Sequence, residues 1–335
     1  MMEQMMELTM QQALNDFLIY KSATCVEKTI EYYRANIGTF MRWFAEKQKK
    51  PLNKLMLNEI TNVLLNEYLI YLRDKTLFEG HPIHGGLKDE KLSNNTIRTY
   101  RRALRVFLKY CYEEDFIKND ISKKFKFIRE TQSIVLPLYE SEANEIDALF
   151  NPKCKQGIRN LCIVHLMLDA GLRSGEVIRL KVGDIDFTKN IIFIKDSKFD
   201  RNRMVPMGTK LKIMLHKYMI VYRGVSENQS YNLDIKTDPF FLEVKSTKPI
   251  TGDVVRCLFA RIKRNTNISR IYPHLLRHTF ATSYILGGGN LESLRLLMGH
   301  SDIITTQKYV HLAHTYQLMH PDVYKLDKVF FKTYY

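Results

Sequence analysis

Apolar residues recur at helical spacing through the first third of the chain. Thr24 and Glu27 have the spacing of a capping box, and they open an amphipathic run that extends to about Lys49. A further helix is expected near residues 58–75, and a loop at residues 77–91, where glycines and a proline interrupt the pattern. This pattern predicts an N-terminal domain that is entirely α-helical.

A helix predicted from about Asn95 to Glu113 has one apolar face and one basic face. The apolar face repeats at helical spacing from Ile97 to Cys111. The basic face comprises Arg98, Arg101, Arg102, Arg105 and Lys109. Two interpretations stay open: the face is simply solvated, or it lies along DNA phosphates, where it would give affinity with steep salt dependence and little sequence information.

A basic segment at about residues 123–135 predicts the boundary between two domains. Its cations include Lys123, Lys124 and Lys126. An acidic helix start follows at Ser141-Glu142, so we place the boundary near residue 133. This gives a helical domain at residues 1–132, a second domain at residues 133–312 and a C-terminal tail at residues 313–335. The linker itself is interpreted either as an exposed tether or as a cationic connection that lets two domains close on a duplex.

The second domain mixes helices with a short β-hairpin. Apolar β runs at Ile191–Ile194 and Met204–Pro206 are joined by a basic tip. A further strand is expected at Phe240–Leu242, and a last short helix at Ile303–Tyr309. Other helices are expected near residues 140–150, 157–170, 210–222, 253–263 and 291–298, and from Pro273 onward. The predicted fold class is mainly α with a small β-sheet, an α+β domain that follows an all-α domain.

Composition narrows the class of partner. A chain of 335 residues is long enough for about two domains of the usual size. Its formal net charge of +15 favours a polyanionic partner, and nucleic acid or an anionic membrane would both fit. The apolar stretches are too short to span a bilayer and no leader pattern opens the chain, so a soluble cytoplasmic protein is expected. The five cysteines are scattered, which argues against a disulfide framework or a zinc site.

Polar residues on otherwise apolar segments form a candidate phosphate site. They are Arg173, His274, Arg277, His300 and Tyr309. A guanidinium binds phosphate oxygens through parallel hydrogen bonds, so two arginines can hold a phosphodiester while a tyrosine hydroxyl attacks it. Glu176 is expected either to orient Arg173 or to lie near the positive end of a helix dipole. No carboxylate cluster accompanies these residues, which predicts phosphoryl transfer without a metal ion or another cofactor.

At these positions the sequence closely resembles the tyrosine recombinase, or phage integrase, family. That family has an arginine in a Gly-Leu-Arg-x-x-Glu segment, a hairpin lysine, a His-x-x-Arg pair, a Gly-His dipeptide and a tyrosine shortly after it. The matching residues are Gly171-Leu172-Arg173-Ser174-Gly175-Glu176, Lys198, His274 with Arg277, Gly299-His300 and Tyr309. The resemblance covers roughly residues 136–312 strongly and the N-terminal third more weakly.

The resemblance implies a reaction and a role for each residue. Tyr309 would attack a scissile phosphodiester and form a 3′-phosphotyrosyl link, with Arg173 and Arg277 on the non-bridging oxygens. A free tyrosine has a pKa of about 10, so the site must help to remove its proton. We expect His274 to act as that base and His300 to donate a hydrogen bond to the phosphate.

The departing 5′-hydroxyl needs a proton, and the resemblance implies that Lys198 at the hairpin tip supplies it. Lys195 and Arg201 are the alternatives on the same hairpin, but an arginine hardly releases its proton, whereas a lysine can act as a general acid. Tyr316 and Tyr324 are the nearest alternatives for the nucleophile, and spacing from the Gly-His dipeptide disfavours both.

The resemblance also implies an assembly. The expected partner is double-stranded DNA with paired half-sites, bound by the N-terminal core-binding domain and the catalytic domain. A monomer or weak dimer would assemble into a homo-tetramer on synapsed DNA, pass through a Holliday junction and act at the prokaryotic nucleoid. The C-terminal tail would dock on a neighbouring protomer or on its own domain. The rival functions are DNA relaxation like that of a type IB topoisomerase and a non-catalytic DNA-binding or architectural role.

Overall fold

The computed structural model describes residues 8–76, 91–123, 125, 135–195, 202–225 and 233–319. The chain divides into two compact units, Met1–Thr131 and Gln132–Tyr335. Within the described ranges, no helix combines the length and the apolar character that crossing a membrane requires.

The first unit is a bundle of α-helices. They are α1 (Met10–Ser22), α2 (Glu27–Gln48), α3 (Asn62–Asp74) and α4 (Asn94–Glu113), with 3-10 turns at Leu52–Lys54, Leu57–Glu59 and Ile121–Lys123. Each α-helix contributes fully buried aromatic side chains to one core, represented by Phe17, Phe40, Tyr68 and Phe107. The rings of Phe40 and Tyr68 meet edge to face at 4.9 Å, a favourable geometry for an aromatic pair. The predicted all-α fold is confirmed.

The capping box predicted for α2 is wrong. The helix begins at Glu27 with Val26 as its N-cap, and no side chain caps it. By contrast, α4 has a side-chain cap, because Ser93 Oγ accepts a hydrogen bond from the backbone N–H of Thr96. The motif spacing around Thr24 therefore occurs in a turn that ends before the helix starts.

The second unit combines helices with one small sheet. Its α-helices are α5 (Glu140–Ala148), α6 (Lys155–Leu168), α7 (Ser174–Arg179), α8 (Thr209–Lys217), α9 (Leu233–Lys236), α10 (Gly252–Asn265), α11 (Pro273–Leu286), α12 (Leu291–Met298) and α13 (Ile304–Met319). A 3-10 turn covers Val182–Asp184, and a π-helical turn, Tyr218–Arg223, continues α8. The predicted α+β fold class is confirmed.

The sheet is antiparallel, in the order β1 (Ile185–Asp186), β2 (Ile191–Ile194) and β3 (Arg203–Pro206). Along β2, buried and half-buried residues alternate, as expected for a strand with one face on a core. The register places Ile194 opposite Arg203 and Ile192 opposite Val205. The pairing of β2 with β3 thus fixes the base of the hairpin. The described residues end at Lys195 before the tip and resume at Asn202 after it.

The strand predicted at Phe240–Leu242 is wrong. Phe240 and Phe241 are fully buried, but their backbone is irregular. Within the described part of the chain they are flanked by single bridges alone, Lys181 with Pro239 and Leu242 with Pro249. An apolar run of this length predicts burial better than it predicts a ladder partner.

The last helix is longer than predicted. Its sequence contains neither glycine nor proline, so nothing stops it at Tyr309, and α13 continues to Met319. Tyr309 therefore lies inside a helix rather than at its end. Residues 320–335 of the predicted tail lie outside the described residues.

A buried histidine lies between two carboxylates in the core of this unit. Every residue of α6 from Gly157 to Met167 is buried. His165 Nε2 lies 2.7 Å from Asp147 Oδ1, and its Nδ1 lies 2.7 Å from Asp169 Oδ2. Burial alone would lower the pKa of His165, but the hydrogen bonds and charges of the two aspartates outweigh it and raise that pKa to about 9. Since both ring nitrogens face carboxylates, His165 is an imidazolium at neutral pH.

This ion triad predicts a pH-dependent stability. Because folding raises the pKa of His165, the native state binds its proton more tightly than the unfolded chain, so the contribution is complete below about pH 6.5 and is lost as the pH rises to about 9. We expect His165→Gln to cost about 1–3 kcal/mol of unfolding free energy at pH 6.5 and less at pH 9.

Urea unfolding at pH 6.5 and pH 9 measures this effect. His314→Gln is the matched control, because His314 is an exposed histidine on α13. An equal cost of His165→Gln at both pH values would contradict a charged His165.

Candidate active site

Arg173 lies at the start of α7, where Glu176 holds it. The Arg173 backbone N–H donates to Glu176 Oε2 at 2.7 Å, and its Nη1 donates to Glu176 Oε1 at 2.9 Å. Both interpretations of Glu176 therefore apply, because the carboxylate orients the guanidinium and also accepts a free N–H at the helix start. The Arg173 side chain remains 34% exposed, so its guanidinium is open to a ligand.

Arg277 is the buried cation of the site. It lies near the start of α11, one residue past the first turn, and it is 4% exposed. Its guanidinium donates to the carbonyl oxygens of Gly171 and Met298. Burial, followed by the charge of Arg173, lowers the pKa of Arg277 to about 9, so it is still a cation at neutral pH.

His300 follows Gly299, which ends α12 in the left-handed conformation with φ +62°. Its Nε2 lies 3.3 Å from Arg277 Nη2 and its Nδ1 lies 2.9 Å from Thr306 Oγ1. A guanidinium can only donate, so Nε2 is the acceptor and the ring proton lies on Nδ1. Burial, with the charges of Arg277 and Arg173, lowers the pKa of His300 to about 3, which agrees with a neutral ring.

Tyr309 is buried, and its hydroxyl is bonded to His278. The tyrosine is 2% exposed, and His278 Nδ1 lies 2.9 Å from its Oη. The rings of Tyr309 and His300 lie parallel, with centroids 6.3 Å apart. Burial raises the pKa of Tyr309 to about 12, against the opposing charges of Arg277 and Arg173.

His274, the expected base, is therefore not the histidine that the structure places on Tyr309 Oη. His274 is an exposed residue in the first turn of α11, and His278 lies one turn further along the same helix. A turn of α-helix superimposes residues four apart on one face, so both histidines point in similar directions. The role of His278 was not predicted; its adjacency to Arg277 was the available signal in the sequence.

Burial lowers the pKa of His278 to about 4, with help from the charges of Lys308, His274 and Arg277. His278 is consequently neutral at physiological pH. In the tautomer with the proton on Nε2, its Nδ1 accepts the hydrogen bond from the Tyr309 hydroxyl. The nucleophile is thus held by a side chain that can take a proton.

The structure adds Arg203, at the first position of β3, to this cluster. Its Nη1 and Nη2 donate to the two oxygens of Glu176 at 2.8 and 2.7 Å, and its Nε donates to the Leu297 carbonyl at 2.7 Å. Burial by itself would raise the pKa of Glu176, but the hydrogen bonds of Arg203 and Arg173 lower it to about 2. The sequence showed a basic hairpin, but nothing in it paired Arg203 with Glu176.

Lys198 falls in residues 196–201, outside the described residues, as does Arg201. Of the alternatives, Lys195 is described, and its Nζ lies 3.0 Å from Asp184 Oδ1. That ion pair holds Lys195 at the base of the hairpin.

The basic residues of α4 do not all share one exposed face. Arg102 and Lys109 are exposed, and Lys109 pairs with Glu113 at 3.2 Å. Arg101 is 3% exposed and lies over the Phe125 ring, 5.1 Å from its centroid. The expectation that Arg101 belongs to an exposed basic face is therefore wrong, because its position turns it toward the core.

Among the other cations of the predicted DNA contact, those that the structure describes are less buried than Arg101. Arg98 and Arg105 are half-buried. Lys123 is exposed and its Nζ lies 3.4 Å from Asp120 Oδ2. Lys124 and Lys126 lie outside the described residues.

The cluster of Arg173, Arg277, His300 and Tyr309, which we call the arginine–tyrosine site, joins cations to a hydroxyl nucleophile. Its chemistry suits an anionic diester, because guanidinium groups stabilise charge on the non-bridging oxygens while a hydroxyl attacks. Within the described ranges, no three His, Cys, Asp or Glu side chains are grouped so as to hold a metal ion.

Comparison with family models identifies the family of this chain. The model described as the phage integrase family matches residues 138–315, and the phage integrase SAM-like domain matches residues 10–127. The chain belongs to the phage integrase family. Its members are tyrosine recombinases, so this integrase is an enzyme that cleaves and rejoins DNA strands.

Curated relatives of this integrase are named tyrosine recombinase XerC. The protein of Bacillus pumilus is 29% identical over 245 residues, which cover 71% of this chain and 78% of the relative. The protein of Pelotomaculum thermopropionicum is 25% identical over 317 residues, which cover 92% of this chain and 97% of the relative. The similarity thus extends through both units.

Solved structures of integrases share the fold. The Tn1549 transposon integrase in complex with circular intermediate DNA has a TM-score of 0.69 at 19% identity, covering 90% of this chain and 95% of that one. The XerH site-specific recombinase bound to palindromic difH substrate, in a post-cleavage complex, has a TM-score of 0.65 at 20% identity, covering 92% of this chain and 83% of that one.

Substitution of Gly171 tests how far the arginine–tyrosine site depends on the backbone conformation at this residue. It has φ +66°, and an added Cβ would lie 2.4 Å from Phe280 Cδ1. Gly171→Ala should cost about 2–4 kcal/mol of unfolding free energy, since left-handed strain and overpacking add. It should also slow DNA cleavage by this integrase, because the Gly171 carbonyl that holds Arg277 must move.

Gly224→Ala is the matched control. Gly224 has φ +71°, but among the described residues beyond its chain neighbours no atom lies within 4 Å of an added Cβ. We expect it to cost about 1–2 kcal/mol, the strain alone, with the cleavage rate unchanged. Urea unfolding and single-turnover cleavage compare the two variants, and equal losses in both would contradict the role given to the Phe280 contact.

Proposed function

We propose that this integrase is a site-specific DNA recombinase that cuts and reseals strands through a 3′-phosphotyrosyl intermediate. The observation that carries the proposal is the cluster around Tyr309: its ring lies parallel to that of His300, which contacts Arg277, and the charges of Arg277 and Arg173 both act on its hydroxyl. The tyrosine oxygen forms a bond to phosphorus as the bond to the 5′-oxygen breaks. A 5′-hydroxyl from another strand reverses the step, so no external energy source is consumed.

The arginines and His300 stabilise the phosphate in this scheme. Arg173 offers its exposed guanidinium to a non-bridging oxygen, and Arg277 supplies a fixed charge behind it. In the free protein, His300 Nε2 accepts a hydrogen bond from Arg277. His300 donates to the phosphate once this nitrogen carries a proton, either because the ring is protonated or because its tautomer changes. Lys198 protonates the departing 5′-oxygen.

The Tyr309 proton passes to His278 in this proposal. The supporting observation is the 2.9 Å contact between His278 Nδ1 and Tyr309 Oη. A bound phosphate places negative charge near His278 and raises its basicity, which favours the transfer. His274, exposed at the start of α11, is then free to donate to the phosphate.

A substrate nicked near the scissile phosphate tests the function, because the released 5′ fragment diffuses away and traps the covalent adduct. The wild type should form an adduct visible on a denaturing gel. Tyr309→Phe removes the attacking oxygen and should abolish it, a loss of at least about 10⁴-fold in rate.

Tyr316→Phe is the matched control, since Tyr316 lies on the same helix and was the nearest alternative nucleophile. It should form adduct at the wild-type rate. An adduct that survives Tyr309→Phe, or no adduct with the wild type, would refute the assignment. Relaxation of supercoiled DNA without exchange between two labelled duplexes would instead indicate topoisomerase activity.

The two histidines are distinguished by their variants. His278→Ala leaves Tyr309 without its proton acceptor, so adduct formation should slow about 10²–10⁴-fold, and raising the pH toward the tyrosine pKa should recover part of the rate. His274→Ala should slow the reaction without that recovery at high pH. If only His274→Ala showed the recovery, His274 would be the base.

The first unit contributes DNA affinity in this proposal, and four copies assemble on paired half-sites with a Holliday junction between the two exchanges. Exposed Arg102 on α4 contacts a phosphate. Arg102→Gln should therefore reduce the slope of log affinity against log salt by about 0.9. Lys118→Gln removes the same charge from an exposed site beyond α4 and should leave the slope unchanged. Equal changes in both variants would contradict a specific contact.

A further inference from the structure

Glu176 is shared by two arginines on different segments of the second unit. Arg173 donates to it through its backbone N–H and Nη1, and Arg203 donates through Nη1 and Nη2. These bonds use the acceptor capacity of one carboxylate, which is about four hydrogen bonds. Neither arginine can therefore strengthen its hold on Glu176 without displacing the other.

The two arginines are not equivalent. The Arg203 side chain is 7% exposed and engages both carboxylate oxygens in a fork, whereas Arg173 is 34% exposed and engages Glu176 through one guanidinium nitrogen. A bidentate pair is stronger and more directional than a single bond. The negative charge of Glu176 is therefore compensated mainly by Arg203.

Arg203 also supports the segment that leads to His300. Its Nε donates to the Leu297 carbonyl at 2.7 Å, in the last turn of α12. A Cβ built on Gly299 would lie 3.2 Å from Arg203 Nη1, so the guanidinium lies directly against that glycine. The Gly299 carbonyl in turn accepts a hydrogen bond from Arg173 Nη2 at 3.3 Å.

We propose that Arg203 is a positioning residue for DNA cleavage: by neutralising Glu176, it leaves the Arg173 charge uncompensated and available to the scissile phosphate. Arg173, Glu176 and Arg203 together have a net charge of +1. Without Arg203, the ionised Glu176 pairs with Arg173 alone. The net charge that these two residues present to the phosphate is then zero. The inference rests on the proposed phosphotyrosyl reaction, because it assigns a role within that site.

This electrostatic role makes a prediction that a purely structural role does not. Arg203→Met leaves Glu176 to neutralise Arg173, and adduct formation on the nicked substrate should slow about 10²–10³-fold, the usual loss when one phosphate-stabilising group is removed. The double variant Arg203→Met with Glu176→Gln restores the net charge of +1. It should react at least about tenfold faster than Arg203→Met alone, one decade in rate.

A structural role predicts the opposite order. The double variant removes more hydrogen bonds than the single variant, so it should then be equally slow or slower. Arg159→Met is the matched control for loss of a buried arginine, because Arg159 is 5% exposed and donates to the Leu242 carbonyl, outside the arginine–tyrosine site. It should lower the melting temperature and leave the rate of adduct formation in folded protein unchanged.

A second substrate tests directly whether the effect of Arg203 depends on the charge of the phosphate. A methylphosphonate at the scissile position is neutral, so it needs less cationic stabilisation than a phosphodiester. The penalty of Arg203→Met should shrink at least about tenfold on this substrate, one decade in rate. An undiminished penalty would overturn the proposal.

Arg203→Lys is the second variant, measured in case Arg203→Met does not fold. A lysine retains the charge without the fork, so its penalty should be smaller than that of Met on the phosphodiester and nearly absent on the methylphosphonate. All reactions use the full chain at equal DNA occupancy. No wild-type adduct would refute the proposed function, whereas a wild-type adduct without rescue by Glu176→Gln would refute only the role of Arg203.

Discussion

The second unit depends on keeping one guanidinium out of water. Removing a cation from water is costly unless hydrogen bonds and nearby negative potential replace the solvent. For Arg277 these come from the carbonyls of Gly171, just beyond α6, and of Met298, the last residue of α12. Helix C-terminal ends have a partial negative charge, so two such ends stabilise the cation without cancelling it.

The same constraint fixes the backbone around it. Gly171 and Gly299 both adopt positive φ, and their own carbonyl oxygens accept hydrogen bonds from Arg277 and Arg173, respectively. A residue with a Cβ would be strained at either position, because positive φ is unfavourable for residues other than glycine. The site is therefore built from the turns that follow two helices, whose carbonyl groups point toward an arginine. Its arginines are held by backbone groups as much as by side chains.

Local features of the fold could be predicted from the sequence, because they depend on neighbours in the chain. The start of α11 at Pro273, the hairpin strands and the spacing of His274 and Arg277 are of this kind. Their convergence was predicted through a family resemblance, since spacing along a chain does not by itself state which helices meet.

Two long-range pairings within the site were not predicted. The contact of His278 with Tyr309 and that of Arg203 with Glu176 join residues from different elements, and each residue has an ordinary alternative role in the sequence. The expectation for Arg101 failed for a related reason. A charge on a helix wheel indicates a direction, whereas the core, with Phe125 in it, determines whether that direction is solvent.

The length of α13 has a mechanical consequence. Tyr309 lies in the interior of a helix that continues to Met319, and Thr306 and Ala313, one turn to either side, are buried with it. A helix transmits displacement along its axis because its backbone hydrogen bonds link successive turns. The buried Tyr309 side chain is therefore held by helix packing on both sides of it, and a displacement of α13 along its axis would move Tyr309 together with its buried neighbours.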